Sequence, residues 1–276
     1  SCLLVYTDLE NFKYFNRKYG YAAGDQLLRE FTGYIIDTLK KRNTAHFTRV
    51  VADQFILFFE EKWNNGSIEA IKRINNGFIE RQQRKYPEAK LRLRTGVYKV
   101  EKDCDGASFA IDAANYARRQ IQDNSPETVC VYDKTMADLQ NMENEIAIGL
   151  DKAIKNKEFK IYLQPRFSLT TGKIVGAESL VRWQREDGTI LPPDSFIPVY
   201  EKNGRIIDLD FYMFEETVKL LANWKEQGIP QRLISINASA LHAQNSDTVH
   251  RYTTILEKYG VDPALIEMEL TETATV

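Results

Sequence analysis

The run Ile-Val-Gly-Ala-Glu-Ser-Leu-Val-Arg-Trp, from Ile174 to Trp183, restricts the fold of this chain more than any other stretch, because its alternation suits a short strand with two unlike faces. Period two puts Glu178, Leu180 and Arg182 on one face and Ala177, Val181 and Trp183 on the other. A carboxylate and a guanidinium two pleats apart on a half-buried surface are costly unless a metal, a phosphate or each other compensates them. These residues alone leave two readings open: a surface strand with a solvated ion pair, or one wall of a binding site.

At 276 residues the chain has room for one large or two ordinary domains, and two is the expectation. Its 43% hydrophobic and 28% charged content is that of a soluble globular protein. No apolar run reaches the length of a membrane span, and nothing reads as a signal peptide. A formal net charge of −2 argues against electrostatic binding to long nucleic acid or an anionic membrane, while small anionic ligands could still meet local arginines. Cys2, Cys104 and Cys130 are few, odd in number and far apart, which fits a reducing cytoplasm and no disulfide framework. His46, His242 and His250 lack ligand spacing with one another or with cysteine, so zinc is not expected. Both ends look cut, since the chain opens in an apolar strand, Leu3 to Tyr6, and stops just after another, Ile266 to Leu270; we expect the natural protein to continue.

In the first half, Leu3 to Asp8 reads as a buried strand ending at Asp8. Asn11, Asn16 and Gly20 punctuate Glu10 to Tyr21, which reads as a loop. Leu27, Leu28, Phe31, Ile35 and Leu39 then share one face of a helix over about Ala22 to Lys40. Phe47 to Val51 and Phe55 to Phe59 suggest a hairpin turning at Ala52-Asp53-Gln54. A helix around Ser67 to Gln83, a strand from Leu91 to Val100, a helix around Ala107 to Ile121 and a strand from Thr128 to Tyr132 complete a pattern that predicts a ferredoxin-like α/β sandwich.

Asp8-Leu9-Glu10-Asn11-Phe12-Lys13, Asn16, Gly24-Asp25, and Arg49 followed by Val51-Ala52-Asp53-Gln54-Phe55 together resemble the GGDEF (diguanylate cyclase) domain, over about residues 1–134. The resemblance implies that Asp8 and Asp53 are vestigial ligands of Mg²⁺ and that Asn16 and Asp25 face a guanine. The family's turn carries two glycines so that its backbone can lie against the phosphates of GTP. Val51 and Ala52 stand there instead, and Gln54 replaces the following acidic residue. The family's feedback motif, Arg-x-x-Asp upstream of the turn, would fall on Arg42 and Ala45, without its aspartate. A degenerate domain that makes no cyclic di-GMP is therefore expected, with a GTP-binding regulatory site as its functional remnant. Otherwise Asp8 and Asp53 merely end a strand and a turn.

Met136, Leu139, Met142, Ile146, Leu150 and Ile154 recur at helical spacing, so residues 135–158 read as a helical connector without a flexible linker. Beyond it, Phe159 to Phe167 and Ile174 to Trp183 read as an antiparallel hairpin joined across Thr171-Gly172. Helices near Ser195 to Asn203, Asp208 to Gln227 and Asp247 to Tyr259 are interleaved with strands at Leu233 to Asn237 and Ile266 to Leu270. That order predicts part of a TIM-like (β/α) barrel. Parity gathers polar residues on one side of successive strands: Gln164 with Tyr162, Glu178 with Arg182, Asn237 with Ser235, and Glu269 with Glu267. Glu267 is expected to sit lower on its strand, without a role.

Leu163-Gln164-Pro165, Glu178-Ser179-Leu180-Val181-Arg182, Asn237-Ala238-Ser239 and Glu269-Leu270-Thr271-Glu272 resemble the first part of an EAL domain, the cyclic di-GMP phosphodiesterase family, with the barrel portion taken as residues 159–276. Ser179 replaces the alanine of the family's name motif, with its side chain pointing away from Glu178. The resemblance implies Glu178, Asn237 and Glu269 as catalytic metal ligands, Arg182 on a ligand phosphate, and Gln164 and Leu180 at the substrate. An oxygen-rich set suits Mg²⁺ or Mn²⁺, and two such ions could activate water and stabilise the leaving oxygen of a phosphodiester. The family's later aspartate pair, lysine and final glutamate are absent from this sequence. The leading expectation is a cytoplasmic bacterial signalling protein that hydrolyses cyclic di-GMP in its intact form. A cyclic di-GMP or GTP sensor without catalysis, and a scaffold that binds no nucleotide, are the alternatives; a homodimer is left open.

Overall fold

Leu3, Val5, Thr7 and Leu9 alternate with Leu4, Tyr6 and Asp8, and all seven are buried, so β1 (Cys2–Glu10) is covered on both faces. The structure is a computed structural model that describes residues 2–39, 45–60, 65–123, 125–244 and 246–271. The chain divides after Gln140 into two units.

In the first unit the expected loop after β1 is instead a helix, α1 (Phe12–Tyr19). Phe12, Phe15 and Tyr19 fall at helical spacing, and the Phe15 ring packs 4.9 Å from both Tyr19 and Tyr86. Asn11, left-handed at φ 67°, and Gly20, at φ 87°, sit at its ends, while Asn16 falls inside the helix. After α2 (Tyr21–Leu39) come β2 (Ala45–Val51), β3 (Gln54–Glu60), α3 (Asn65–Lys85), β4 (Arg92–Val100), α4 (Ala107–Arg119) and β5 (Val129–Val131). The sheet order is β2-β3-β1-β4-β5, antiparallel except for β4 with β5. This is the ferredoxin-like sandwich that the element order predicts.

Leu3, Val5 and Leu9 pack with Leu27, Phe31 and Phe78 on one side of the sheet, while Leu4 and Tyr6 pack with Ala110 and Ala114 on the other. Gly96 of β4 explains how closely α4 lies on that second side. A Cβ built there would fall 1.8 Å from the Ala114 carbonyl oxygen and 2.5 Å from the Arg118 nitrogen, so only glycine fits without moving backbone.

The next helix, α5 (Lys134–Lys155), buries Ile146, Leu150 and Ala153 in the core of the second unit. There β6 (Phe159–Phe167) and β7 (Ile174–Gln184) form the expected hairpin. A short β8 (Ile190–Leu191), α6 (Pro193–Lys202), α7 (Ile206–Glu226), β9 (Leu233–Ser239), α8 (Thr248–Tyr259) and β10 (Ile266–Thr271) follow. The main sheet runs β10-β9-β7-β6, parallel between β7, β9 and β10. It is part of a (β/α) barrel. Phe159 and Trp183 meet Phe196 and Leu209, and Ile234 and Ile236 meet Phe214 and Val218. The helices thus cover one face of the sheet and leave its other face to polar residues. Trp183 donates its indole N–H to buried Glu158 Oε2 at 2.8 Å, which fixes the outward parity of β7. Among the described residues no helix is long and apolar enough to cross a membrane.

Candidate functional site

In the second unit, register carries the polar residues across four neighbouring strands. Gln164 lies opposite Glu178, Glu178 opposite Ser235, and Asn237 opposite Glu269. Asn237 Nδ2 donates to Glu178 Oε1 at 2.8 Å. Arg182 takes no part in that bond: its Nη1 donates to the Val181 carbonyl at 2.8 Å, and its guanidinium lies 5.8 Å from the centre of the Tyr162 ring. The solvated Glu178–Arg182 ion pair is therefore not the arrangement found. Ser179 faces the other way, with its hydroxyl 3.1 Å from that of Thr217 on α7.

Two participants escaped the sequence reading. Arg166 shares the parity of Gln164, and its Nη1 lies 2.7 Å from Glu267 Oε2 and 3.4 Å from Glu269 Oε1. Glu267, expected to be idle, is the nearer partner. These contacts join the two edge strands, β6 and β10, which in a flat four-stranded sheet would lie about 14 Å apart. The sheet must curl toward its polar face for the side chains to meet. Asp210 of α7 is the second. Its Oδ2 accepts from the Ser239 backbone N–H at 2.9 Å and lies 3.0 Å from buried His242 Nε2, so the end of β9, just past Asn237, is tied to a helix. A cavity of about 280 Å³ opens here, lined by Leu180, Pro193, Ile206, Asp210 and Asn237.

Among the described residues no three His, Cys, Asp or Glu side chains are gathered as a metal site. Glu178, Asn237 and Glu269 are gathered by register instead, two carboxylates and an amide. With Nδ2 of Asn237 turned to Glu178, the lone pairs of its Oδ1 are left to ligate, and an all-oxygen set of this kind fits a hard divalent cation.

In the first unit, β1 runs two residues past Asp8, where the sequence predicts its end, and Asp8 lies opposite Gln54, so Asp8 and Asp53 become neighbours. Tyr6 donates its hydroxyl to Gln54 Oε1 at 2.7 Å, which gives the glutamine in the acidic position a structural partner. Ala52 takes the left-handed conformation, φ 47°, that a glycine would adopt freely, and Val51 is exposed beside it. Arg49 Nε donates to the Ala52 carbonyl at 2.6 Å and holds the turn. Asn16 Oδ1 is buried without a hydrogen bond, against Gly24, where a Cβ would lie 1.8 Å from it. Asp25 is on the surface of α2 in a cleft with Arg29 and Arg49. Burial pushes the Asp8 carboxyl above the usual carboxylate range, against the pull of Arg118 and Arg94, and burial raises Asp53 as well. Arg118 and Arg94 also escaped the sequence reading, because they reach Asp8 from α4 and β4. Of the feedback motif, Arg42 lies outside the described residues, as does Glu272 of the second half.

Comparison with known families matches residues 1–126 to "Diguanylate cyclase, GGDEF domain" and residues 149–276 to "EAL domain". The signaling protein YkoW of Bacillus subtilis (strain 168) is 27% identical over 100% of this chain and 34% of its own length. The cyclic di-GMP phosphodiesterase PdeR of Escherichia coli (strain K12) is 26% identical over 99% of this chain and 41% of its own length. The chain therefore spans less than half of either relative. The solved structure of Vibrio cholerae LapD S helix-GGDEF-EAL, bound to c-di-GMP, aligns with 98% of this chain and 63% of that one, at a TM-score of 0.52 and 18% identity, a likeness of fold.

Proposed function

The chain belongs to the tandem GGDEF–EAL family, and from that premise we propose that its EAL half hydrolyses cyclic di-GMP to the linear dinucleotide in the intact cytoplasmic protein, while its GGDEF half makes none. The observation that carries the reading is the run of Glu178, Asn237 and Glu269 over three neighbouring strands, with the 2.8 Å bond between the first two. These residues would hold Mg²⁺ or Mn²⁺, which when bound supplies an activated water and stabilises the leaving oxygen. Arg182 and Gln164 bind the phosphate and seat the substrate, and Leu180 contacts it from the cavity wall. The name of PdeR, a cyclic di-GMP phosphodiesterase, supports the substrate.

In the GGDEF half, side chains at Val51 and Ala52 stand where phosphates require bare backbone. Asn16 and Asp25 keep the guanine-facing positions, so GTP acts there as an effector and not as a substrate. A second reading, a sensor that binds cyclic di-GMP without cleaving it, draws on Arg166, whose pairing with Glu269 engages a metal ligand.

Incubating the intact protein with cyclic di-GMP and Mn²⁺, and separating the products by chromatography, tests both. Linear dinucleotide is the expected product. Binding without product favours the sensor, and neither binding nor product removes both readings.

A further inference from the structure

The second face of the first sheet carries a ladder of opposite charges. Asp8 and Glu10 of β1 lie directly opposite Arg94 and Arg92 of β4. Glu10 Oε2 is 3.6 Å from Arg92 Nη1 and 3.8 Å from Arg94 Nε. Arg118 joins the ladder from above because Gly96 allows α4 to lie against β4 at the arginine's own backbone nitrogen. Its Nη1 pairs with Asp8 Oδ2, its Nε donates to Asn115 Oδ1 at 3.0 Å, and its guanidinium lies 5.6 Å from the centre of the Tyr6 ring.

Asp8 is only 8% exposed. Its second oxygen, Oδ1, makes no hydrogen bond, and 3.9 Å away is the equally unbonded Nε of Arg94. Both carboxylate oxygens therefore face guanidinium groups. Around them the carboxylates of Asp8, Glu10, Asp53 and Asp123 face the guanidinium groups of Arg92, Arg94, Arg118 and Arg49, so the cluster already carries its own counter-ions. A Mg²⁺ ion needs oxygen ligands at about 2.1 Å in a near-octahedral shell and reluctantly gives up its water. Here it would have to displace a guanidinium already held at three points, or raise the local charge by two in a buried place. The residues present do not fit the cation that the family resemblance places on Asp8 and Asp53.

We propose that Asp8 is no metal ligand in this protein: its carboxylate is the internal counter-ion through which Arg118 clamps α4 to β1, and the guanidinium stands where a divalent cation would be needed. The GGDEF half takes neither Mg²⁺ nor Mn²⁺ at Asp8 and Asp53, and its fold is complete without one. The inference is independent of hydrolysis by the EAL half.

Mn²⁺ is the probe, titrated into the full chain and followed by paramagnetic loss of backbone amide signals, which locates a bound ion without reference to activity. Amides of Thr7, Asp8, Leu9 and Asp53 are expected to keep their intensity at twice the protein concentration of Mn²⁺. Loss of those signals in the unaltered protein overturns the proposal, whatever happens at Glu178 and Glu269. Arg118→Met, which keeps an unbranched apolar stem as far as the Nε position and removes the charged end, is expected to open the site so that the same amides are lost on adding Mn²⁺. If the folded variant keeps those signals, the arginine does not exclude the cation and the proposal falls. If the variant does not fold, the titration of the unaltered protein decides.

Discussion

Asn237 donates its amide to Glu178 across the β7–β9 boundary at 2.8 Å, and among the described residues no arginine lies within ion-pair distance of Glu178, Arg166 acting on it only from farther off while it pairs with Glu267 and Glu269. The carboxylate is thus oriented by a neutral group, which leaves its charge available to a cation.

Removing either partner separates the structural role from the chemical one. Asn237→Ala leaves a half-buried carboxylate short of one hydrogen bond and is expected to cost about 1 kcal/mol of unfolding free energy. Glu178→Ala removes the charge itself and is expected to abolish turnover of cyclic di-GMP in the intact protein. Denaturant titration and product chromatography check the two, and unchanged turnover in Glu178→Ala refutes its role.

Ser179 provides the opposite case, because it is next to Glu178 in sequence and on the other side of the sheet. Its hydroxyl meets Thr217, which still donates to the Met213 carbonyl at 2.9 Å if the serine is removed. Ser179→Ala is expected to cost no more than about 1 kcal/mol in stability and to leave turnover intact. A collapse of turnover without loss of stability would show that the face assignment of β7 is wrong.

Gly96→Ala tests the close approach of α4. The added methyl meets the Ala114 carbonyl and the Arg118 nitrogen, which are backbone atoms unable to swing aside. A loss of about 1–3 kcal/mol is expected from overpacking. Urea unfolding measures it, and an unchanged midpoint would contradict the packing described.

Acid sensitivity has an identifiable contributor in Glu215. Lys258 Nζ at 2.8 Å holds its carboxyl below the usual range, against burial, with help from the Tyr259 hydroxyl at 2.7 Å. A carboxyl whose folded pKa lies below its unfolded one stabilises the fold above the unfolded value and loses that contribution as pH falls through the folded one. The native protein should therefore exceed Glu215→Gln in stability at neutral pH by about 0.5 kcal/mol, and the difference should fade at an acid pH below the unfolded carboxylate range. Paired denaturant titrations at the two pH values check the sign; an advantage that grows in acid excludes it.

How much of this was legible in the sequence follows from how far apart the interacting residues lie. The hairpin of β6 and β7 announced itself through strict alternation, and the same parity placed Gln164, Glu178 and Arg182 on one side. Helix α1 was misread because Asn11 and Gly20, its two boundaries, outweighed the spacing of Phe12, Phe15 and Tyr19 between them. The parity of Arg166 could have been read, but its partners on β10 are about a hundred residues away and are met only because the sheet curls. Arg118 carried no local signal at all. Its meaning depends on Gly96, a residue of another element whose missing side chain admits the helix.

The turn at Ala52 has a practical consequence for anyone who would re-engineer the first half. Its backbone already adopts the left-handed shape, φ 47°, at a cost of roughly 1–2 kcal/mol that alanine bears and glycine would not. Restoring glycine there is thus a change without remodelling, but Val51 beside it must be exchanged as well before the turn presents bare backbone. The buried arginine on α4 is of another kind, since the helix that presents it is seated on the sheet around it. Repair of the turn alone leaves that second barrier standing.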